Sequence, residues 1–293
     1  MSVESLASGG APGSSTARIP RSSAPRGARS RRRRRPSLDH WWLRLVSPVV
    51  AIGIWQLLSA TGILSPSKLV SPVSIAHTAY TLITTNSPTY GTLQASLLVS
   101  AERLGIGFAL GTVIAILLAI ITGLSPVAEL ALDPIVHALR SIPLLGLIPL
   151  FIVWFGIGDL PKILIVLLGA FFPMYVNTFA GIRSVDPKLR ELARVLGLSR
   201  RELVSQIVLP GALPQALTGL RLGLIASLLA LVVGEQINAN AGLGFMVTTA
   251  QDFLQNNIIM VALIVYAILG LLGDTLIRLL ERKVLTWRSD FVQ

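Results

Sequence analysis

The chain has 293 residues, of which 53% are hydrophobic and only 13% charged, with a mean hydropathy of +0.71 and a formal charge of +11. Roughly 25% charged is usual for a soluble domain, so the composition excludes both a soluble enzyme and a disordered chain. At about 20 apolar residues per span, the length suits a membrane protein of about half a dozen helices, and the absence of cysteine removes disulfides, thiolate metal sites and cysteine nucleophiles.

Residues 1–40 form an Arg-rich tail, and residues 1–44 carry ten arginines against two acids, Glu4 and Asp39. Ser, Ala, Gly and Pro fill the rest, which buries too little apolar surface to offset ordering entropy, so the tail is expected to be disordered through about residue 37. An Arg run can bind nucleic acid. Because an apolar segment follows at once, a cytoplasmic flank touching anionic lipid is the favoured expectation, with no nucleic-acid partner. The basic stretch is too long for a signal peptide and no small-residue cleavage site follows.

A transmembrane domain is expected over residues 41–293. The first span is predicted at 42–60, with Trp41 and Trp42 as interfacial anchors. Residues 61–95 carry Pro66, Pro72 and Pro88 and read as a loop with one short helix. Further spans are predicted at 98–122, 139–157, 162–181, 216–236 and 258–280. Gly105, Gly107, Ala109 and Gly111 suit close helix packing in the second, and Pro143 and Pro149 predict kinks in the third. The fold class is therefore an all-α polytopic membrane protein with six transmembrane helices. With the amino terminus inside, 22 of the 25 Lys and Arg residues, Arg140 included, fall in inner segments. That bias puts both termini in the cytoplasm.

The polar segment 182–215 is long for an inter-span loop. Asp186-Pro187 reads as an N-cap followed by proline at N1. Leu189, Leu192, Ala193 and Leu196 share a helical face, and Gly197 stands where a C′ glycine stops a helix. Ser199 with Glu202 is a capping box opening a second helix, which Pro210 and Pro214 are expected to end. The segment is thus a helix-turn-helix hairpin. Either it packs its apolar face under its own bundle, or it docks a cytoplasmic partner.

The pattern Glu191-x-Ala193-x-x-x-Gly197, then nine residues, then Ile207-x-Leu209-Pro210 resembles the EAA loop of bacterial binding-protein-dependent ABC importer permeases. Leu192 departs from the usual second-position Ala but keeps an apolar helical side chain. Segments 142–163, 171–199, 209–224 and 235–246 extend the resemblance over most of residues 90–290. They place it near the aliphatic sulfonate, taurine and nitrate subgroup, with 235–246 most like the alkanesulfonate members. The resemblance implies a type I ABC importer transmembrane domain in a bacterial inner membrane, working as a permease homodimer with two ATP-binding subunits and an extracytoplasmic solute-binding protein. Glu191, Ala193, Gly197, Ile207, Leu209 and Pro210 would form the ATPase-coupling loop.

None of the four lysines sits in a Gly-Lys-Ser/Thr sequence, so a Walker A loop is missing. No catalytic, cofactor or metal residues are expected, and ATP with Mg belongs to the partner ATPase. His40, His77 and His137 are isolated. Candidate pathway or gating groups are Asn177, Glu235, Gln236, Asn238 and Asn240, because intramembrane polar groups are costly and often functional. Glu235 would repel an anion and suits a structural or gating role better. Gly242-Leu243-Gly244 reads as a tight outer turn, and Arg103 and Asp274 as helix-packing contacts. Aliphatic sulfonate is the expected solute, with taurine, nitrate or a pyrimidine vitamin precursor as alternatives. A proton-coupled secondary transporter would need inverted repeats, which are not evident.

Overall fold

The structure is a computed structural model. It describes residues 41–61, 70–237 and 239–285. The basic tail, the loop 62–69, Asn238 and the last eight residues lie outside these, as do the side chains of Trp41 and Trp42. The chain divides into two compact units, Met1–Val49 and Val50–Gln293. Of the first, the described part is the opening of helix α1 (Trp41–Ala60).

Among the described residues of the second unit every regular element is a helix, apart from one isolated bridge between Ser87 and Gly91. Helix α2 (Pro72–Thr84) starts where Ser71 Oγ accepts from the Ser74 amide and proline occupies the first turn. Helix α3 (Leu93–Leu124) is capped in the same way by Thr92. Ser125 both closes α3, through its amide to Ile121 O, and caps α4 (Pro126–Arg140), so one residue makes the corner. A 3-10 turn (Leu144–Leu147) leads into α5 (Ile148–Phe155), which stops at Gly156. Helix α6 (Asp159–Arg183) follows, then the short helices α7 (Pro187–Val195) and α8 (Arg200–Leu203). The long helices α9 (Leu209–Gln236) and α11 (Asn256–Val284) flank the short α10 (Leu243–Asp252).

Helix α6 packs most extensively against α9 and α3. Close approach is made possible by small residues. A β-carbon on Gly107 would come within 2.7 Å of Ile163 O, and one on Gly111 would overlap Leu167 O. Gly169 meets the backbone of α9 at Ala226 in the same manner. In lipid, packing of small surfaces replaces hydrophobic burial as the cause of helix association. Ala115 and Ala119 continue the α3 stripe and are fully buried, whereas Gly105 and Ala109 face outward. Leu98, Val113 and Leu117 cover the outer side of α3 and are more than half exposed, as a lipid-facing surface requires.

Three expectations are corrected. Among the described residues, four helices are individually long and apolar enough to cross a membrane: Leu93–Leu124, Asp159–Arg183, Arg200–Gln236 and Asn256–Val284. The span expected at 139–157 is instead a bent pair, Pro126–Arg140 and Leu144–Phe155, turning by 87°. Pro143 offers no amide hydrogen to continue α4, so the chain breaks there rather than kinking. Val49–Ala60 is a shorter apolar segment of α1. Second, Pro210 and Pro214 do not end the hairpin's second helix. A π-helical stretch (Val204–Val208) joins α8 to α9, and Pro210 falls in the first turn of α9. The wider turn and that position accommodate the missing amide hydrogen. Third, the outer turn closes at Gly242 and becomes α10 from Leu243 onward.

Candidate functional site

The hairpin between α6 and α9 is built as its capping residues dictate. Asp186 Oδ1 accepts from the Lys188 amide at 2.9 Å, opening α7. At its other end Gly197 has φ +71°, and the Leu198 amide donates to Ala193 O at 3.0 Å. This is the 6→1 bond of a Schellman stop. Ser199 and Glu202 then exchange capping-box bonds, with the Ser199 amide donating to Glu202 Oε2 at 2.8 Å. Ile182, Val185, Val208 and Ala212 form the buried core beneath, with Ile120, Leu124, Leu203 and Ile207 against it. Arg200 Nη2 reaches Leu124 O at 3.4 Å, tying α8 to the end of α3.

This anchoring leaves the apolar face of α7 open. Ala193 is buried, but Leu189, Leu192 and Leu196 are 47%, 53% and 68% exposed. The face does not pack under its own bundle. Glu191 is exposed, Ile207 and Pro210 are half-buried, and Leu209 is 37% exposed. A β-carbon on Gly197 would meet nothing within 4 Å, so its left-handed backbone alone favours glycine within this chain. Beside the hairpin, Gly123, Leu124, Leu198, Arg200, Leu203, Val204 and Val208 enclose a groove of about 470 Å³.

At the opposite ends of the same helices lies a charged cluster. Glu235, at the end of α9, has no exposed surface. Its Oε1 accepts from Arg103 Nη1 at 2.7 Å, and its Oε2 accepts from the Tyr266 hydroxyl at 2.7 Å and the Gly244 amide at 3.0 Å. The Ser100 hydroxyl donates to the same carboxylate, 2.7 Å from Oε2, while its oxygen accepts from the Leu243 amide at 2.8 Å. Arg103 also donates to Ala241 O at 2.8 Å and, through Nε and Nη2, to Asp159 Oδ1 at 2.9 and 2.6 Å. A single carboxylate thereby joins α3, α9, α10 and α11, and Arg103 adds α6. The Gly242-Leu243-Gly244 segment is closed around Glu235. A β-carbon on Gly242, which has φ +111°, would lie 2.6 Å from Glu235 Oε1. Just outside this cluster the Tyr90 hydroxyl donates to Gln255 Oε1 at 2.5 Å, and burial pushes that phenol above its ordinary pKa.

Glu235 is thus enclosed by four helices and a turn. Gln236 is half-buried, with its backbone carbonyl accepting from Thr248 Oγ1 at 3.4 Å. Asn240 is exposed, and Asn238 lies outside the described residues. Asn177 is separate from these. It is half-buried on α6, with its Nδ2 donating to Pro173 O at 2.8 Å, and lines a cavity of about 330 Å³ with Phe172, Pro173, Val176, Leu222 and Arg140. Arg140, at the end of α4, lines this cavity beside residues of α6 and α9. Asp274 pairs with Arg221 of α9 at 3.1 Å and with Arg278 at 2.7 Å. Tyr266, on α11, carried no sequence signal, and Ser100 carried only its place in the stripe Ser96, Ser100, Arg103, Gly107, Gly111 at helical spacing on α3.

The model of the family described as "Binding-protein-dependent transport system inner membrane component" matches residues 107–286. The chain is 43% identical over 251 residues to the "Putative aliphatic sulfonates transport permease protein SsuC" of Bacillus subtilis (strain 168), covering 86% of this chain and 89% of that one. It is 42% identical over 254 residues to the protein of the same description from Escherichia coli (strain K12), covering 86% and 95%. In fold it is similar to a chain of an amino acid ABC transporter solved with histidines, with a TM-score of 0.54 at 19% identity, covering 72% of this chain and 97% of that one.

Proposed function

The chain belongs to the family of binding-protein-dependent transport system inner membrane components, and from that premise we propose that it is the permease through which an ABC importer takes up aliphatic sulfonates. The importer role itself follows from the family. The sulfonate assignment rests on one observation, the 43% identity extending over 86% of the chain to a relative described as a sulfonate permease.

The coupling role of the hairpin is supported by its geometry. ATP and Mg are bound by a separate ATPase, so the force of its closure must enter through a surface contact. Helix α7 offers Leu189, Leu192 and Leu196 uncovered on a rigid, doubly capped hairpin. An amphipathic helix of this kind suits a groove on a partner. The buried core under α8 and the continuity of α8 with α9 through the π stretch carry any push on the hairpin directly into α9. Glu191 brings charge to the rim of the contact. Gly197 sets the turn and leaves room for the partner to approach.

The permease works as a homodimer, each chain contributing half of the pathway, with hairpins and both termini in the cytoplasm. The Glu235 cluster then stands on the outer side, where it locks α3, α9, α10 and α11 into one body. Because that carboxylate is enclosed by its own partners, it acts on the fold and on outer closure rather than on the solute. An extracytoplasmic binding protein delivers the solute to this side.

Growth on defined sulfur sources tests the substrate. A strain deleted for this gene should fail on pentanesulfonate as sole sulfur source, grow on sulfate, and recover when the gene is returned. Failure on taurine alone moves the protein to that substrate. Normal growth on both, in a strain without a second sulfonate importer, rejects sulfonate and directs attention to nitrate or a pyrimidine vitamin precursor.

A further inference from the structure

Several arginines on or beside the long helices are neutralised by carboxylates. Arg103 binds Asp159 and Glu235, Arg221 binds Asp274 and Glu281, and Arg183 binds Glu129. Arg140 differs. It is exposed at the end of α4 and forms no ion pair with any described residue. Its depth follows from the helices it faces. The cavity it lines is bounded by Phe172, Pro173, Val176 and Asn177 of α6 and by Leu222 of α9. At about 1.5 Å per residue, those α6 residues stand roughly 9–16 Å above Arg183 at the helix end. Leu222 is near the midpoint of α9 (Leu209–Gln236). The hydrocarbon layer is about 30 Å thick, so the cavity that Arg140 lines falls within the length of α6 and α9 that crosses it and not at their ends. An unpaired charge there is costly against lipid and is tolerated where it faces water or an anion.

The surroundings have a definite chemistry. Arg140 supplies a planar, permanently charged fork suited to the oxygens of an oxyanion. The Asn177 amide gives one N–H to Pro173 O and keeps its second N–H for a ligand. Phe172, Pro173, Val176 and Leu222 provide apolar walls. A cavity of about 330 Å³ suits a small organic molecule. We propose that Arg140, with the Asn177 amide, is an anion-selecting station in the middle of the translocation pathway, holding the charged head of the solute while its apolar tail lies against α6 and α9. The proposal rests on the sulfonate-importer reading for the solute, though the anion preference is a property of the cavity itself. One guanidinium without an encircling set of donors also leaves binding weak, as passage requires.

The chain has no cysteine, so Leu222→Cys places a single thiol in the cavity without background. It is labelled in the full-length permease, assembled with its ATPase in membrane vesicles, using anionic sulfonatoethyl methanethiosulfonate and cationic trimethylammonioethyl methanethiosulfonate. The ratio of anionic to cationic labelling rates is expected to fall about tenfold in Arg140→Gln and to be largely kept in Arg140→Lys. Pentanesulfonate is expected to slow labelling in the parent and not in Arg140→Gln. A thiol silent to both reagents, in this variant and in Val176→Cys, would overturn the proposal, as would a ratio unchanged by loss of Arg140. A ratio that depends on Arg140 while nitrate protects and pentanesulfonate does not would keep the anion station and reject the sulfonate reading. Should Arg140→Gln fail to accumulate, Arg140→Lys and Arg140→Met make the same comparison.

Discussion

Glu235 is fully enclosed, yet its carboxylate receives hydrogen bonds from an arginine, a serine, a tyrosine and a backbone amide. Burial of a charge is costly, and the cost is offset only while each partner stays in place. Removing one partner leaves the other uncompensated, at a typical cost of about 3–5 kcal/mol. Glu235→Ala should therefore lower the thermal midpoint of the purified complex by several degrees, and Arg103→Ala should do the same. Glu235→Gln keeps the shape and should lose less. Equal stability of Glu235→Ala and the parent would show that the cluster is not holding the outer ends together. Gly242 is constrained by both a positive φ and the 2.6 Å approach to Glu235 Oε1, so Gly242→Ala should destabilise the same cluster. The residue types here were legible in the sequence, but their company was not. Ser100 and Glu235 are 135 positions apart, and no local pattern pairs them. Glu235 therefore read as a structural or gating residue without its partners being identifiable.

Helix α7 and its turn show which features a sequence does transmit. Asp186-Pro187, Gly197 and the Ser199–Glu202 box are local rules, and each appears in the structure as the rule states. What followed Val204 depended on a π stretch, for which Val204–Val208 gives no sequence sign, so Pro210 and Pro214 read as stops. The bent pair α4–α5 was missed for a related reason. Apolar residues run through 139–157, and only the geometry at Ser141–Pro143 decides between a kinked span and an 87° turn. The turn begins just after Arg140, which lines the cavity beside α6. Two tests act on these elements. Leu192→Arg changes an exposed side chain of α7, and Gly197→Asp puts a side chain at φ +71°, where asparagine-like residues are tolerated at small cost. Both should abolish co-purification with the ATPase while membrane insertion stays normal, and retained association would remove α7 as the docking helix. Gly111→Leu should instead prevent stable folding, because its side chain would enter the backbone of α6 at Leu167.

Across the whole molecule, the described helices present two ends with different tasks. One end closes on the buried Glu235 cluster, and the other exposes an apolar hairpin face anchored through α8 into α9. An importer of this kind passes its solute only when an ATPase drives it. The most direct measurement is uptake of pentanesulfonate into proteoliposomes holding the permease, its ATPase and its binding protein. Accumulation should require ATP and the binding protein, ignore a proton gradient, and be lost with Gly197→Asp. Uptake driven by a proton gradient with no ATP, or by the permease alone, would rule out an ATP-driven importer.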